Sequence, residues 1–219
     1  MATKIRMQRG LEAIAPYADG RPLEALGRVS EGGQVEPLLR LHCNENPLGV
    51  SPKALAAVER TLKQLNRYPD GQSYMLRQAL ARHLGVDVAQ VTVGNGADGL
   101  ILQICMAYLD EESETLTSQV SFPVYDAYTY AMRATLVKVP LKGYHLDLEA
   151  MAEAITDRTK IIFVCNPNNP TGTIVTADQV AAFMARVPDH VLVVFDEAYY
   201  ELVEAETFPE TLRYIEEGR

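Results

Sequence analysis

Asp196 follows directly on the apolar run Val191-Leu192-Val193-Val194-Phe195, and Tyr199 stands three residues further on. A carboxylate delivered from the end of a buried strand is costly unless it meets donors or a cation. It can serve as a helix N-cap or a core hydrogen-bond acceptor. It can also hold a cationic ligand group, and a protonated pyridine nitrogen is one. Tyr199 is close enough in sequence to aim its hydroxyl at the same ligand, although a tyrosine in such a place is also ordinary packing.

A second cluster, Asn166-Pro167-Asn168-Asn169-Pro170-Thr171-Gly172, follows the apolar run ending at Cys165. Its two prolines fix backbone angles and remove two donors, which makes a stiff turn. Asn169 is thereby presented rigidly, with a donor and an acceptor to offer. A third cluster, Gly94-Asn95-Gly96-Ala97-Asp98-Gly99, spells G-x-G-x-x-G between a short apolar run and a helix start. Free N–H groups at Ala97 and Asp98, together with the helix dipole, make an anion cup. The dinucleotide reading of this motif also requires an acid at the end of the next strand. That strand runs instead into Thr117-Ser118-Gln119-Val120. A phosphate cup is favoured, with a purely structural glycine turn as the alternative.

The elements that must carry these clusters are readable from periodicity. Lys160–Cys165 and His190–Phe195 are β-rich, and the segment between them is helical, with Thr176 and Gln179 in capping-box relation. Strand–helix–strand crossovers make parallel strands, and ligands bind at the carboxyl ends of such strands. Upstream, Val91–Gly94, Thr115–Gln119 and Thr135–Leu141 are expected strands. Helices are expected over Ala97–Leu109, over 123–133 and after Asp147. Ser51 with Pro52 starts an earlier helix carrying Leu55, Val58, Leu62 and Leu65, and Ser73 caps another that ends at Gly85. Residues 1–40 read as an arm rich in turns, and Pro37–His42 as a short strand. The expected fold is α/β, a mostly parallel sheet with helices on both faces.

Composition bounds the partners. The net charge of −9 argues against a general nucleic-acid surface, while leaving room for a local anion site. No apolar run approaches the roughly 20 residues a bilayer span needs, and Met1–Gly10 lacks the apolar segment of a secretory signal. Cys43, Cys105 and Cys165 have no metal spacing and read as reduced thiols of a cytoplasmic protein, with no metal site.

Cys165–Thr173 together with Phe195–Tyr199 resembles the fold-type I aminotransferases that depend on pyridoxal 5′-phosphate. Leu41–Gly49, Asn66–Gly71, Gly94–Asp98 and Ser121–Tyr125 are similar, within that group, to the histidinol-phosphate aminotransferase family. The resemblance runs from about Tyr17 to Tyr199 in the family's order. It implies a cofactor-binding large domain over 46–219, incomplete, preceded by an arm and part of a small domain over 1–45. Ala97 and Asp98 would hold the cofactor phosphate through backbone N–H groups, and Tyr125 would stack on the pyridine ring. Asn169 and Tyr199 would bond its 3′ oxygen, and Asp196 its nitrogen. Tyr68 would reach the phosphate in a neighbouring subunit, which implies a homodimer with shared sites. Tyr17 and Asn46 would line the substrate pocket, and the Asn169–Pro170 bond is expected to be cis by analogy with the fold.

The implied reaction moves an amino group between L-histidinol phosphate and 2-oxoglutarate, in histidine biosynthesis. The family's Schiff-base lysine is expected beyond Arg219, since all six lysines precede Asp196 and none has its context. No catalytic residue is therefore expected within the chain. The chain alone is expected to bind the cofactor weakly without transaminating. Threonine-phosphate decarboxylases and aromatic aminotransferases share the pattern. A non-catalytic remnant of the fold and a dinucleotide-dependent oxidoreductase are the alternatives from other classes.

Overall fold

The computed structural model describes residues 10–14 and 43–217. The chain divides into two compact units, one comprising residues 16–92 and the other residues 1–15 with 93–219. Tyr17 and the expected strand Pro37–His42 lie outside the described residues.

In the first unit, α1 (Pro52–Thr61) begins with proline at its first position, but the Ser51 side chain makes no capping bond. The apolar stripe that marks this helix is present, yet Leu55, Val58, Leu62 and Leu65 are each at least half exposed. The second helix, α2 (Tyr74–Leu84), ends at Gly85 in the left-handed conformation with φ 72°, as glycine at a helix end permits. Its start differs from the expectation. Ser73 itself is left-handed and caps nothing. Asp70 takes the role instead, accepting the backbone N–H of Gln72 at 3.0 Å and of Tyr74 at 2.5 Å.

The expected strand Val91–Gly94 begins extended at Val91 but joins no sheet among the described residues. The carbonyl of Val91 accepts Arg77 Nε at 2.7 Å rather than a strand partner. A guanidinium satisfies that carbonyl as well as a ladder would, so alternation of apolar residues alone could not establish pairing.

The second unit is the α/β body. In order it holds α3 (Gly96–Tyr108), β1 (Glu114–Ser118), α4 (Val124–Ala131), β2 (Thr135–Val139), α5 (Leu148–Glu153), β3 (Thr159–Cys165), α6 (Ala177–Met184), β4 (Leu192–Asp196) and α7 (Arg213–Glu216). The four strands are all parallel in the order β2-β1-β3-β4. Element ends fall within a residue or two of the periodicity, as fraying makes usual. Two expected caps are formed: Asp147 accepts Ala150 N–H at 3.1 Å, and Thr176 with Gln179 closes a capping box.

Both faces of the sheet are covered, and β3 shows how. Its even positions Ile162 and Val164 join Met151, Val180 and Phe183 in one core. Its odd positions Ile161, Phe163 and Cys165 join Ile101, Cys105 and Tyr125 in the other. This two-sided burial explains why the strand reads as a continuous apolar run rather than an alternating one.

Candidate active site at the carboxyl edge of the sheet

The site lies where β1, β3 and β4 end side by side. Cys165 and Asp196 are paired in register, so the two strands finish level. Asn166 N–H donates to the Asp196 carbonyl at 2.9 Å, carrying the ladder one residue further. The two polar clusters are thus brought to one edge, as the crossover topology requires.

The three asparagines after β3 do different work. Asn166 is fully buried and clamps Val175, accepting its N–H at 2.9 Å and donating to its carbonyl at 3.4 Å. Asn168 is also buried; it donates to the Val120 carbonyl at 3.1 Å and to Thr171 Oγ1 at 2.8 Å, and accepts from Ser121 Oγ at 2.9 Å. These bonds fasten the loop to the exit of β1. Both X-Pro bonds of the segment, Asn166–Pro167 and Asn169–Pro170, are cis. Only Asn169 is left to offer its amide, and its Nδ2 lies 3.4 Å from Tyr199 Oη.

The clamp predicts a measurable loss. Asn166→Ala would leave both backbone groups of Val175 unpaired in a dry place, at a cost of about 3 kcal/mol. Denaturant unfolding should show that decrease in stability. A change below about 1 kcal/mol would mean that water or another group replaces the amide.

Asp196 is half-buried and accepts two hydrogen bonds, from Tyr125 Oη to Oδ2 at 2.6 Å and from Ala198 N–H to Oδ1 at 3.2 Å. Among the described residues no lysine or arginine forms an ion pair with it. A carboxylate held in place but given no cation is suited to a cation supplied by a ligand.

Tyr125 departs from the expectation drawn from the resemblance. It was expected to stack on a ligand ring, but it is fully buried and already stacked on Phe163, with ring centres 4.4 Å apart and planes 6° from parallel. Burial, then the neighbouring Cys165 and Asp196, push its phenol far above the usual range, so it stays a neutral donor. The physical reason is its position. Tyr125 is the second residue of α4, the helix that packs on the sheet, and so its side chain goes under the site. Phe122, before the helix starts, is only half-buried and meets Tyr125 edge-on at 5.7 Å. It is the aromatic at this strand exit with surface to offer a ligand. The available signal was Pro123, which marks the helix start and separates the two rings.

The glycine cluster forms a helix N-terminus with open donors. Gly96 has φ 67° and the Asn95 side chain makes no cap, so α3 starts without a side-chain acceptor. Ala97 and Asp98 fall in its first turn, where backbone N–H groups have no intrahelical partner. A Cβ on Gly94 would lie 3.0 Å from the Leu100 side chain and 3.2 Å from its N, a tight fit that Leu100 would have to yield to. Gly99 is different: its Cβ would meet nothing closer than 3.4 Å. The third glycine of a dinucleotide fingerprint permits close helix–strand packing, a need absent at this position. With no acid at the end of β1 either, the cup fits a phosphate better than a dinucleotide.

Asn46 and Tyr68 belong to the other unit. Asn46 is exposed and accepts Leu48 N–H at 2.9 Å. Tyr68 is fully exposed.

The profile of the family described as aminotransferase class I and II matches residues 36–218. Histidinol-phosphate aminotransferase of Anoxybacillus flavithermus is 41% identical over 213 residues, 97% of this chain and 57% of that protein. The enzyme of the same name from Moorella thermoacetica is 41% identical over 219 residues, 100% of this chain and 56% of that protein. Among solved structures, histidinol-phosphate aminotransferase from Sinorhizobium meliloti in complex with pyridoxal-5′-phosphate superposes with a TM-score of 0.83 at 29% identity. That match covers 95% of this chain and 55% of the other. The chain therefore spans little more than half the length of these relatives. With its parallel sheet, its two polar clusters level at the carboxyl edge and its open helix N-terminus, the chain belongs to the class I and II aminotransferase family.

Proposed function

We propose that this chain supplies the cofactor-holding wall of a pyridoxal phosphate-dependent aminotransferase, one that moves an amino group between L-histidinol phosphate and 2-oxoglutarate. The observation that carries the cofactor reading is Asp196, fixed by two donors, half-buried and, among the described residues, without an ion-pair partner. A pyridine nitrogen placed against it would be kept protonated, since the carboxylate favours the charged form. When bound, pyridoxal phosphate supplies an electron-accepting ring for the substrate's amine-bearing carbon.

The residues of the chain divide the remaining tasks. Backbone N–H groups of Ala97 and Asp98 take the phosphate, and Asn169 with Tyr199 takes the 3′ oxygen. Phe122 offers an aromatic face in the place the resemblance gave to Tyr125. Tyr17 and Asn46 line the substrate pocket in this reading, and Tyr68 reaches the phosphate in a second subunit of a homodimer. In this reading residues 1–45 make up the arm and part of a small domain, and residues 46–219 belong to the large domain. The substrate assignment rests on the named relatives at 41% identity. A cytoplasmic location accords with Cys43, Cys105 and Cys165, all free thiols.

None of the six lysines follows Asp196, and among the described residues Lys138 is paired with Asp126. The chain alone is therefore expected to hold pyridoxal phosphate without a covalent link. Titrating the 219-residue chain should give saturable binding by equilibrium dialysis, no label fixed by borohydride, and no transamination of histidinol phosphate. Absence of saturable binding, or thermal stabilisation by NAD(P) instead, would overturn the reading.

A further inference from the structure

We propose that Glu197 is a positioning residue: its carboxylate, held by the Thr211 hydroxyl, clamps the turn from Asp196 to Tyr199 so that the Tyr199 hydroxyl meets the ligand's 3′ oxygen. The proposal rests on the cofactor reading above, but the clamp is present without any ligand.

Side chains of β4 alternate between the two cores. Val193 and Phe195 pack against the one that holds Met151 and Phe183, and Val194 against the one that holds Tyr125. Asp196 follows Val194 and bonds the Tyr125 phenol. Glu197 instead bonds the segment that returns on the Phe195 side, its Oε1 accepting the Thr211 hydroxyl at 2.8 Å. Thr211 is buried, and its segment is itself anchored. Tyr214 stacks on Phe195 with ring centres 6.2 Å apart, Tyr200 meets Phe208 edge-on at 5.7 Å, and the Thr207 carbonyl accepts Ala177 N–H at 2.8 Å. The turn is thus gripped twice, by Tyr125 through Asp196 and by Thr211 through Glu197. Within it the Glu197 carbonyl accepts Tyr200 N–H at 2.9 Å, so the placement of Glu197 fixes where Tyr199 leaves the backbone.

Burial pushes the Glu197 carboxyl above the usual carboxylate range; the Thr211 bond opposes this, and Glu210, Asp196 and Glu201 add to it. Among the described residues no lysine or arginine forms an ion pair with it. A half-buried acid among other acids is a costly choice where packing alone is needed. What Thr211 requires is an oxygen acceptor, and a carboxyl offers one in either protonation state.

The test uses the full 219-residue chain with pyridoxal 5′-phosphate and with 3-deoxypyridoxal 5′-phosphate, which lacks the 3′ oxygen. The parent should prefer the first about tenfold, near the value of a hydrogen bond to a charged group. Tyr199→Phe should cut that preference to about twofold, and so should Glu197→Ala and Thr211→Val. Glu197→Ala combined with Tyr199→Phe should cut it no further, because the clamp acts through that hydroxyl. Glu197→Gln and Thr211→Ser, which keep the acceptor and the donor, should stay within about twofold of the parent's preference. A parent that binds both forms alike, a Glu197→Ala variant that weakens both equally, or a glutamine variant as poor as the alanine one overturns the proposal.

Amide hydrogen exchange needs no cofactor. In the ligand-free chain, Glu197→Ala and Thr211→Val should each speed exchange at Ala198 and Tyr200 about tenfold and leave Phe163 in β3 unchanged. Unchanged rates at the turn, or equal acceleration at Phe163, overturn the clamp whether or not the chain binds pyridoxal phosphate. Faster exchange confined to the turn, in a chain that binds neither ligand, sinks the cofactor reading and leaves the clamp standing.

Discussion

Asp196→Asn is expected to weaken pyridoxal phosphate binding about 100-fold while changing stability by less than about 1 kcal/mol. The amide occupies nearly the same volume, and its oxygen can still accept the Tyr125 hydroxyl that now donates to Oδ2 at 2.6 Å. What disappears is the charge. Breaking a partly desolvated ion pair from one side costs about 3 kcal/mol or more, which corresponds to roughly two decades in affinity. Asp196→Ala is a poorer probe, because it would also strand the fully buried Tyr125 hydroxyl. Affinity should be measured by equilibrium dialysis at several pH values across neutrality. The parent chain should hold the protonated ring in preference, and the asparagine variant should lose that preference. An asparagine variant that binds within about threefold of the parent would show that Asp196 is an ordinary strand-end carboxylate.

Much of this arrangement could be read from the residues alone, because topology follows from patterns of few alternatives. The strand–helix–strand run from β3 through α6 to β4 admits a parallel crossover, and that places Asn169 and Asp196 at one edge. The capping residues Asp147 and Thr176 were legible for the same reason, since each acts on a donor three residues away. Position within a helix's first turn was harder. Phe122 and Tyr125 are both aromatic and three residues apart, and only the helix start between them separates a ring beneath the site from one beside it. Tertiary partners were harder still. Nothing in Val91–Gly94 signals that Arg77 will claim the Val91 carbonyl, and nothing in Ser73 signals that Asp70 will take the capping role. Nor could spacing distinguish Asn166 and Asn168, which hold the loop, from Asn169, which is presented.

The glycine cluster makes the last strong prediction, and it separates a phosphate cup from a mere turn. Pyridoxal 5′-phosphate should bind about 100-fold tighter than pyridoxal, which lacks only the phosphate, because charge-assisted bonds from two N–H groups add to the helix dipole. Ala97→Pro tests where that advantage arises. Gly96, at φ 67°, is not itself helical, so Ala97 stands at the first truly helical position, where proline is well tolerated. The substitution removes one N–H and leaves α3 otherwise intact. The preference for the phosphorylated form should fall about tenfold, with the affinity for pyridoxal unchanged. A tighter test comes from inorganic phosphate, which should compete with pyridoxal 5′-phosphate in the parent chain and lose that ability in Ala97→Pro. Equal affinities for the two cofactor forms in the parent would leave Gly94 and Gly96 with a steric role only: room beside Leu100, and a backbone turn into the helix.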